Sequence, residues 1–275
     1  MHNHTEITLP KATHVYGIRG DDSLLDTIHI NISIPEENKE NKKIATLNKT
    51  GFMTTDMDCY TKKFIQSAAK TKHPVLDIGA AYGLASIPAV MGGATVIAND
   101  IDPRHLLLLR EQIPPSFREN LYLKQGYFPE KLDFPEESLE AIIICRVAHF
   151  FSSAQIQKSL KKIYKWLIPG GKLYWVMMTQ YHHILIDKFA PIYEQRWASG
   201  VRWPGMISNM HEYASHLSDK IPQFLHVCDT RPMSIELIKQ GFIIEEMSMF
   251  DYERPEQKVI KSGREYLGFI ASKPL

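Results

Sequence analysis

An acid and a series of small residues mark the point of the sequence most suited to chemistry. Residues 75–83 form VLDIGAAYG, in which an apolar run ends at Asp77 and Gly79, Ala81 and Gly83 follow at alternating positions. Apolar residues then continue at helical spacing, so we predict a strand, a tight loop and a helix. Small side chains let a ligand approach the backbone of such a loop, and the helix N-terminus offers free N–H groups. The segment therefore predicts a ligand site at the end of a strand.

Strands and helices alternate along the chain at the spacing of βαβ units. Predicted strands cover residues 75–78, 95–98, 121–124, 141–145 and 172–178, with helices over 84–91, from Asp102-Pro103 onward and over 152–167. Other patterns predict a strand over 27–34, a helix from Thr54 or Asp56 toward Lys70, a helix over 234–240 and late strands over 242–248 and 266–272. Alternation of this kind implies parallel pairing with right-handed crossovers. The predicted fold class is α/β: a three-layer α/β/α sandwich with a mostly parallel seven-stranded sheet and an antiparallel terminal strand.

Several stretches resemble the class I S-adenosylmethionine-dependent methyltransferase family, whose sheet is Rossmann-like. The family's first motif is matched by Asp77, Gly79, Ala81 and Gly83, with Ala81 in place of the commoner middle glycine. Its ribose-binding acid corresponds to Asp100 in VIANDIDP. The family's third strand, adenine loop and fourth strand resemble the segment LKQGYFPEKLDFPEESLEAIIICRVAHFF. The loop and strand that follow in the family resemble the segment LIPGGKLYWV. The resemblance implies S-adenosylmethionine as the cofactor.

This resemblance spans about residues 72–178 and 234–272 and implies the residues of the cofactor site. The implied cofactor-binding residues are Asp77, Gly79, Ala80, Ala81, Gly83, Asp100, Ile101, Tyr127, Phe128, Cys145 and Arg146. Many members place an aspartate, which accepts from the adenine amino group, directly after the glycine that corresponds to Gly126. This chain has Tyr127 and Phe128 instead. Stacking or backbone contacts must then hold the adenine.

A dinucleotide is the competing cofactor, because other Rossmann-type enzymes also carry glycine loops. Their fingerprint is G-x-G-x-x-G, which the residues from Gly79 onward, GAAYG, do not fit. Asp77 would also repel a pyrophosphate, since like charges repel. Asp100, some 20 residues further on, suits a ribose diol. The pattern therefore favours the methyl donor.

Composition and charge exclude several classes of partner. The net charge of +1 lacks the excess of basic residues that binding to nucleic acid requires. The N-terminus lacks the basic and apolar regions of a secretory signal, and no apolar run reaches the roughly 18 residues of a membrane span. Cys59, Cys145 and Cys228 form no CxxC pair, which suits free thiols in a reducing compartment. We expect a cytoplasmic protein without nucleic-acid or membrane partners, and the sequence leaves its oligomeric state open.

Two segments are expected to cover the acceptor pocket. One is the N-terminal extension, residues 1–53; the other is an insert at about residues 181–231, within a methyltransferase domain of residues 54–275. Large side chains of the insert could wall the pocket or bury the insert against the sheet: Trp197, Trp203, Met206 and Met210. Both interpretations stay open from the sequence.

The histidines of the insert form no metal-binding pattern. His182 and His183 are adjacent and would point apart on either a helix or a strand. His211 and His216 miss the i,i+4 spacing that puts two ligands on one helix face. We therefore expect no metal site, although His182 or His183 could act as a base.

The acceptor is expected to be a small molecule. The loop after the fourth strand lacks the Asp/Asn-Pro-Pro-aromatic motif of adenine amino methylases and the paired glutamates of protein-arginine methylases. His149 in this loop is the candidate general base, because histidine titrates near neutrality, or it only packs under the loop. Arg146 could orient an acidic acceptor or pair with Glu140, and Cys145 is expected to pack. The rival functions are a protein that binds S-adenosylmethionine or S-adenosylhomocysteine without turnover and a methyltransferase of protein side chains.

Overall fold

The computed structural model describes residues 7–29, 31–215, 221–252 and 262–275. Its strands are β1 (Ile18–Arg19), β2 (Lys43–Ala45), β3 (Phe52–Thr54), β4 (Val75–Ile78), β5 (Val96–Asp100), β6 (Leu121–Gln125), β7 (Leu139–Cys145), β8 (Leu167–Met178), β9 (Met206–Ile207), β10 (Leu225–His226), β11 (Ile243–Phe250) and β12 (Tyr266–Ser272). Its helices are α1 (Ser23–Asp26), α2 (Cys59–Ala68), α3 (Ser86–Met91), α4 (Pro103–Glu111), α5 (Ser153–Trp166), α6 (Ala190–Ala198) and α7 (Thr230–Gln240). No helix in the described ranges is long and apolar enough to cross a membrane.

The central sheet contains eight strands in the order β1-β6-β5-β4-β7-β8-β12-β11. The five strands from β6 to β8 pair in parallel, and β12 runs antiparallel to both of its neighbours. This arrangement confirms the predicted Rossmann-like fold class. The predicted count of seven strands was one short, because β1 in the N-terminal extension pairs Ile18 with Leu123 at the edge of the sheet.

Apolar side chains cover both faces of the sheet, as a sheet between two helical layers requires. Successive residues of one strand enter opposite clusters: Leu76 and Ile142 lie in one, and Val75 and Ile143 lie in the other. The insert has a third cluster of its own, built from Leu185, Phe189, Tyr193, Ile207, Met210, Ala214, Leu225 and Val227. The insert therefore packs as a small unit beside the sandwich.

Capping side chains explain where the helices begin. Asp58 precedes α2, and its Oδ1 accepts from the backbone N–H of Thr61 at 2.8 Å. The predicted starts at Thr54 and Asp56 were therefore too early. A capping box at Ser152 starts α5 where the sequence predicts it.

Three other predictions of local structure are wrong. Within the described residues of the predicted strand 27–34, none lies in a strand, and Thr27 instead caps the C-terminus of α1. The last helix, α7, begins at Thr230 because Asp229 caps it. Residues 169–171, predicted as a loop, lie within β8, where a shift in the pairing with β7 accommodates them.

Candidate active site

A cavity of about 420 Å³ lies at the carboxyl ends of β4, β5 and β7. It is lined by residues 77–81 at the end of β4 and in the loop after it, by Asp100 and Ile101 at the end of β5, and by residues 145–147 at the end of β7. β4 stands between β5 and β7. From β4 the chain continues to β5 and β6 on one side of the sheet, and later returns to β7 and β8 on the other side. Open α/β sheets bind their ligands at such a switch point.

Two segments border the cavity on its outer side. We define the strap as residues 43–54, the β2–β3 hairpin, which contributes Lys43, Thr46, Asn48, Thr50, Gly51, Phe52 and Met53 to the lining. The insert contributes His182, His183, Ile184, Ile221, Pro222, Phe224 and Leu225. The division of the chain at residue 53 stays a prediction, and β3 spans that position.

The large side chains singled out in the insert do not line the cavity. Trp203 and Met210 are buried in hydrophobic clusters, and Met206 is 41% exposed. Trp197 lies under the guanidinium of Arg231, with 5.0 Å from Cζ to the ring centroid. The sequence left open whether these side chains wall the pocket or bury the insert, and Trp203 and Met210 fit the second interpretation.

The predicted site residues converge on this cavity with a single exception. Its lining includes Asp77, Gly79, Ala80, Ala81, Asp100, Ile101, Tyr127, Phe128, Cys145, Arg146 and His149. Gly83 lies outside the lining, and a Cβ there would come 2.7 Å from Ile87 and 2.8 Å from Leu109. The glycine at position 83 therefore serves close packing between helices α3 and α4.

Gly79 allows the loops after β4 and β7 to approach each other. Its φ is +75°, and a Cβ at this position would lie 2.3 Å from Cγ2 of Val147. Ala81, two residues later, also has a positive φ of 45°. The backbone N–H of Ala81 donates to Oδ2 of Asp100 at 3.0 Å, which holds this unfavourable conformation in place.

Asp77 is a buried carboxylate at the end of β4. It is 4% exposed, and its Oδ2 accepts from the hydroxyl of Ser86 at 2.7 Å. Burial raises its pKa to about 6, and the nearby Asp100 adds to the increase. A cationic ligand group beside Asp77 would favour the ionised form and lower this pKa.

Asp100 is held by donors from three directions. Its Oδ2 accepts from Ala81 N, and its Oδ1 accepts from Asp102 N at 2.9 Å and lies 3.1 Å from Nδ1 of His105. Sequence reasoning missed His105, although it is the first residue of HLLLL, a polar side chain beside an apolar run. The carboxylate is thus fixed in position before any ligand binds.

The strap is attached to the same region by two hydrogen bonds. The backbone N–H of Leu47 donates to Nε2 of His105 at 3.0 Å. The hydroxyl of Tyr82 donates to the carbonyl of Ala45 at 2.9 Å. The strap therefore rests directly on residues that follow β4 and β5.

The loop after β6 forms one end of the cavity. Asn99 positions it, because its Nδ2 donates to the carbonyls of Lys124 and Gly126 at 2.8 and 3.0 Å. Tyr127 is 41% exposed, and its hydroxyl accepts from Gln155 at 3.0 Å. Ile101 is 43% exposed on the neighbouring loop. Their side chains offer apolar surface for a flat ring, while the next residue after Tyr127 belongs to the core.

Phe128 is a core residue that also reaches the cavity. It is 4% exposed, and its ring centroid lies 5.9 Å from that of Phe151 and 5.8 Å from that of Trp166. The two residues that replace the usual acid of the adenine loop thus differ in role. Tyr127 is available to a ligand, and Phe128 anchors the loop.

Comparison with known proteins agrees with this geometry. A family model described as a methyltransferase domain matches residues 75–171. The chain therefore carries a methyltransferase domain over these residues, with S-adenosylmethionine as the methyl donor. Among curated proteins, none matches the sequence.

Solved structures share the fold of this methyltransferase at low sequence identity. A methyltransferase from Methanosarcina mazei has a TM-score of 0.58 and 18% identity, over 80% of this chain and 99% of that one. One from Mesorhizobium loti has a TM-score of 0.55 and 16% identity, over 78% and 98%. The 1,6-didemethyltoxoflavin-N1-methyltransferase of Burkholderia thailandensis, solved with its acceptor and S-adenosylhomocysteine, has a TM-score of 0.54 and 15% identity, over 79% of each chain.

Arg146 brings a positive charge into the cavity of the methyltransferase. Among the residues that the structure describes, its buried Nε has no hydrogen-bond partner. The guanidinium lies over the ring of Tyr252, with 5.3 Å from Cζ to the centroid. Burial lowers the pKa of Arg146, but Tyr252 and Cys145 raise it above its usual value, so the group stays charged. The alternative partner, Glu140, instead accepts from the backbone N–H groups of residues 72 and 73.

Cys145 is a packing residue. Burial raises the pKa of its thiol to about 12, and the charge of Asp58 adds to the increase. Its Sγ lies 3.6 Å from Oδ2 of Asp58 and 3.5 Å from the hydroxyl of Thr61. A thiol with so high a pKa is not a nucleophile at neutral pH, as the sequence predicts.

His149 lines the cavity but is a weak base there. Burial lowers its pKa to about 3, and the charge of Arg146 lowers it further. Its Nδ1 is buried without a hydrogen-bond partner among the described residues. A general base works best when its pKa lies near the operating pH. The assignment of His149 as the base stays a prediction that this pKa does not favour.

His182 and His183 do not point apart, contrary to the expectation from the sequence. Residues 182–186 form a turn in which Leu185 N donates to the carbonyl of His182 at 2.7 Å. In this conformation the two imidazole centroids lie 4.2 Å apart with an interplanar angle of 33°. His216, the partner considered for His211, lies outside the described residues.

Proposed function

We propose that the chain transfers the methyl group of S-adenosylmethionine to a small molecule enclosed in the cavity. The observation that carries this proposal is the shared lining: motif residues after β4 and β5 form one side, and the strap and insert form the other. A cavity of about 420 Å³ is within the range of small-molecule sites, roughly 300–1,000 Å³. The cover that the strap and the insert give to the motif residues supports a small acceptor over a protein side chain.

The residues on the sheet side match the parts of the donor. We assign Asp100 to the ribose hydroxyls and Asp77 to the methionine ammonium, directly or through water. Arg146 suits the methionine carboxylate, because its buried Nε lacks a partner among the described residues. Ile101 and Tyr127 provide the apolar contacts for adenine.

Methyl transfer of this kind is an in-line displacement at carbon. S-adenosylmethionine supplies an activated methyl group on a sulfonium. The residues of this chain would hold acceptor and donor in line and exclude water, and such positioning supplies much of the acceleration in bimolecular reactions. The cysteines described are free thiols, which supports the predicted cytoplasmic location, and the net charge of +1 supports an acceptor other than nucleic acid.

Calorimetric titration with S-adenosylmethionine and S-adenosylhomocysteine tests the donor site. We expect micromolar binding of both and a loss of at least about 10-fold in Asp100→Asn, which keeps the size of the side chain but removes its charge. Asp187→Asn, an exposed position, is the matched control and should leave binding unchanged. Failure of both ligands to bind the wild type would refute the proposal.

Release of S-adenosylhomocysteine tests turnover and the class of acceptor. The wild type is assayed with a panel of small phenols, alcohols, amines and carboxylates, and separately with a peptide library. Turnover on a small molecule that stops in Asp100→Asn supports the proposal. Turnover on peptides alone would support the rival protein methyltransferase, and donor binding with no turnover on either panel would favour a binding protein.

A further inference from the structure

His182, His183 and Glu265 meet at one edge of the cavity, outside the proposed donor site. One potential ligand atom from each residue lies within 4.8 Å of the other two. His182 is 3% exposed and Glu265 is 6% exposed, so two of the three are buried. We propose that this cluster binds one divalent transition-metal ion. This site could not be predicted from the sequence. Adjacent histidines in a regular helix or strand would point apart, and no spacing in the sequence relates either of them to Glu265.

The register between β8 and β12 brings the cluster together. Met178 at the end of β8 pairs with Tyr266 at the start of β12. The pairing continues for one residue beyond both strands, where Thr179 N donates to the carbonyl of Glu265 at 2.9 Å. Glu265 therefore lies beside the turn that carries both histidines. The backbone N–H of His183 completes the attachment by donating to Oε1 of Glu265 at 3.2 Å.

Outer hydrogen bonds orient the side chains, as they do in known metal sites. The backbone N–H of Glu265 donates to Oδ1 of Asp251 at 2.8 Å. Nε2 of His182 lies 3.3 Å from the hydroxyl of Tyr266. The other ring nitrogen, Nδ1, accepts a long hydrogen bond of 3.4 Å from the backbone N–H of Ile184, which an ion bound to this nitrogen would replace. These contacts tie the cluster to β12 and to the turn.

The donor set suits a first-row transition ion such as Zn²⁺, Co²⁺, Mn²⁺ or Fe²⁺ better than Mg²⁺, which prefers oxygen ligands. Ligand atoms about 2.0–2.2 Å from such an ion are at most about 4.4 Å apart. Nδ1 of His183 and Oε1 of Glu265 are 2.7 Å apart, so this pair would separate slightly around an ion. In tetrahedral coordination the ligand atoms lie about 3.4 Å apart, so a pair near the 4.8 Å limit would close by about 1 Å through rotation of an imidazole.

Three protein ligands leave coordination positions open, which is the arrangement of catalytic metal sites. Both His182 and His183 line the cavity, so a ligand can reach these positions from the acceptor side. The use of the ion rests on the proposed function. A bound hydroxyl oxygen of the acceptor would have a lowered pKa, would lose its proton to water, and would bond to the methyl carbon while the C–S electron pair stays on sulfur. The substrate class is therefore hydroxyl compounds.

Cobalt binding tests the site without any knowledge of the acceptor. Tag-free protein is stripped with a chelator and titrated with Co²⁺, whose visible absorption reports coordination, and with Zn²⁺ by calorimetry. We expect one ion per chain and a loss of affinity of at least about 100-fold in both His183→Ala and Glu265→Gln. His73→Ala is the matched control, because it breaks a surface pair in which Nδ1 of His73 lies 3.4 Å from Oε2 of Glu140. This control should retain full binding.

Three results would overturn the proposal: no stoichiometric binding by the wild type, equal affinity in Glu265→Gln, or an equal loss in His73→Ala. Titration of each variant with S-adenosylhomocysteine separates this failure from a failure of the proposed function. A variant that binds the nucleoside as the wild type does is folded, so its loss of cobalt is local. A wild type that binds cobalt specifically but neither donor nor product would retain the metal site and lose the methyltransferase proposal.

Discussion

His105 and Asp100 form a buried pair that connects the strap with the cavity. Nδ1 of His105 lies 3.1 Å from Oδ1 of Asp100, and its Nε2 accepts from the backbone N–H of Leu47 at 3.0 Å. Because Nε2 accepts, Nδ1 of a neutral ring carries the proton and donates to the carboxylate. One imidazole therefore fixes both a carboxylate of the proposed donor site and the segment that covers it.

Replacing His105 should loosen the strap and weaken donor binding together. In His105→Phe the amide of Leu47 loses its acceptor and Asp100 loses one donor, each worth about 1 kcal/mol. We expect the Leu47 amide to exchange with deuterium roughly 10-fold faster, and the affinity for S-adenosylhomocysteine to fall by a similar factor. Hydrogen exchange with mass spectrometry and calorimetry measure the two effects.

Tyr82→Phe is the comparison that separates the two effects. It removes the hydrogen bond to the carbonyl of Ala45 but leaves the pair of His105 and Asp100 intact. The strap should exchange faster in this variant, whereas the affinity for the nucleoside should change less than in His105→Phe. Equal losses of affinity in both variants would show that the strap alone, and not the orientation of Asp100, determines binding.

Asp77 should destabilise the unliganded protein at neutral pH. Its pKa is about 6 in the folded chain against an ordinary value of 3.8. The folded state therefore binds the proton more tightly than the unfolded state, and this stabilisation is lost as the pH rises through 6. At pH 7 the ionised group costs about 3 kcal/mol. Asp77→Asn should raise the free energy of unfolding by up to that amount at pH 7 and by little at pH 4, measured by urea denaturation.

The same substitution should weaken the proposed ammonium contact. Binding of S-adenosylhomocysteine to the wild type should fall by about 10-fold between pH 7 and pH 5, as Asp77 becomes protonated. In Asp77→Asn the affinity should be low and nearly independent of pH in this range. Binding of 5′-methylthioadenosine, which lacks the amino-acid group, should not depend on Asp77. A strong dependence there would contradict the assignment of Asp77 to the ammonium.

His226 should make the protein sensitive to acid. Burial lowers its pKa to about 4, although Nδ1 lies 3.0 Å from the carbonyl of Phe151. The unfolded state therefore binds the proton more tightly, so the stabilisation is present above pH 6.5 and is lost as the pH falls toward 4. His226→Asn should reduce the loss of unfolding free energy between pH 7 and pH 5 by about 2 kcal/mol. The exposed His29→Asn serves as the control, and an unchanged pH dependence in His226→Asn would refute the prediction.

The parallel core and the motif loops could be predicted because their determinants are local in the sequence. β4 and β5 are buried at every position, and their mostly apolar sequences are typical of strands that are covered on both faces of a sheet. Asp77 and Asp100 lie in the last two positions of these strands, so the fold alone places them at one edge. The strand β1, which contains Ile18, could not be predicted in this way, because two residues are too few to show the alternation of apolar and polar side chains that identifies a strand.

The remainder of the site depends on contacts between distant parts of the chain. Nδ1 of His183 meets Glu265 across 82 positions, and Nε2 of His105 meets Leu47 across 58. Neither pair follows from spacing, because the turn after β8 and the hairpin of the strap determine which way the side chains face. The expectation that His182 and His183 point apart failed for this reason: it assumed regular structure where the chain turns.

Arg146 should recognise the carboxylate of the donor. S-adenosylhomocysteine and 5′-methylthioadenosine share the nucleoside, and only the former has the methionine carboxylate. A charge-assisted hydrogen bond is worth about 1.5–3 kcal/mol. Arg146→Gln should therefore lower the affinity for S-adenosylhomocysteine by roughly 10- to 100-fold and leave the affinity for 5′-methylthioadenosine unchanged. Calorimetry with both ligands measures the ratio. An unchanged ratio would remove Arg146 from the donor site and leave its charge, which has no partner at Nε among the described residues, to an anionic group of the acceptor.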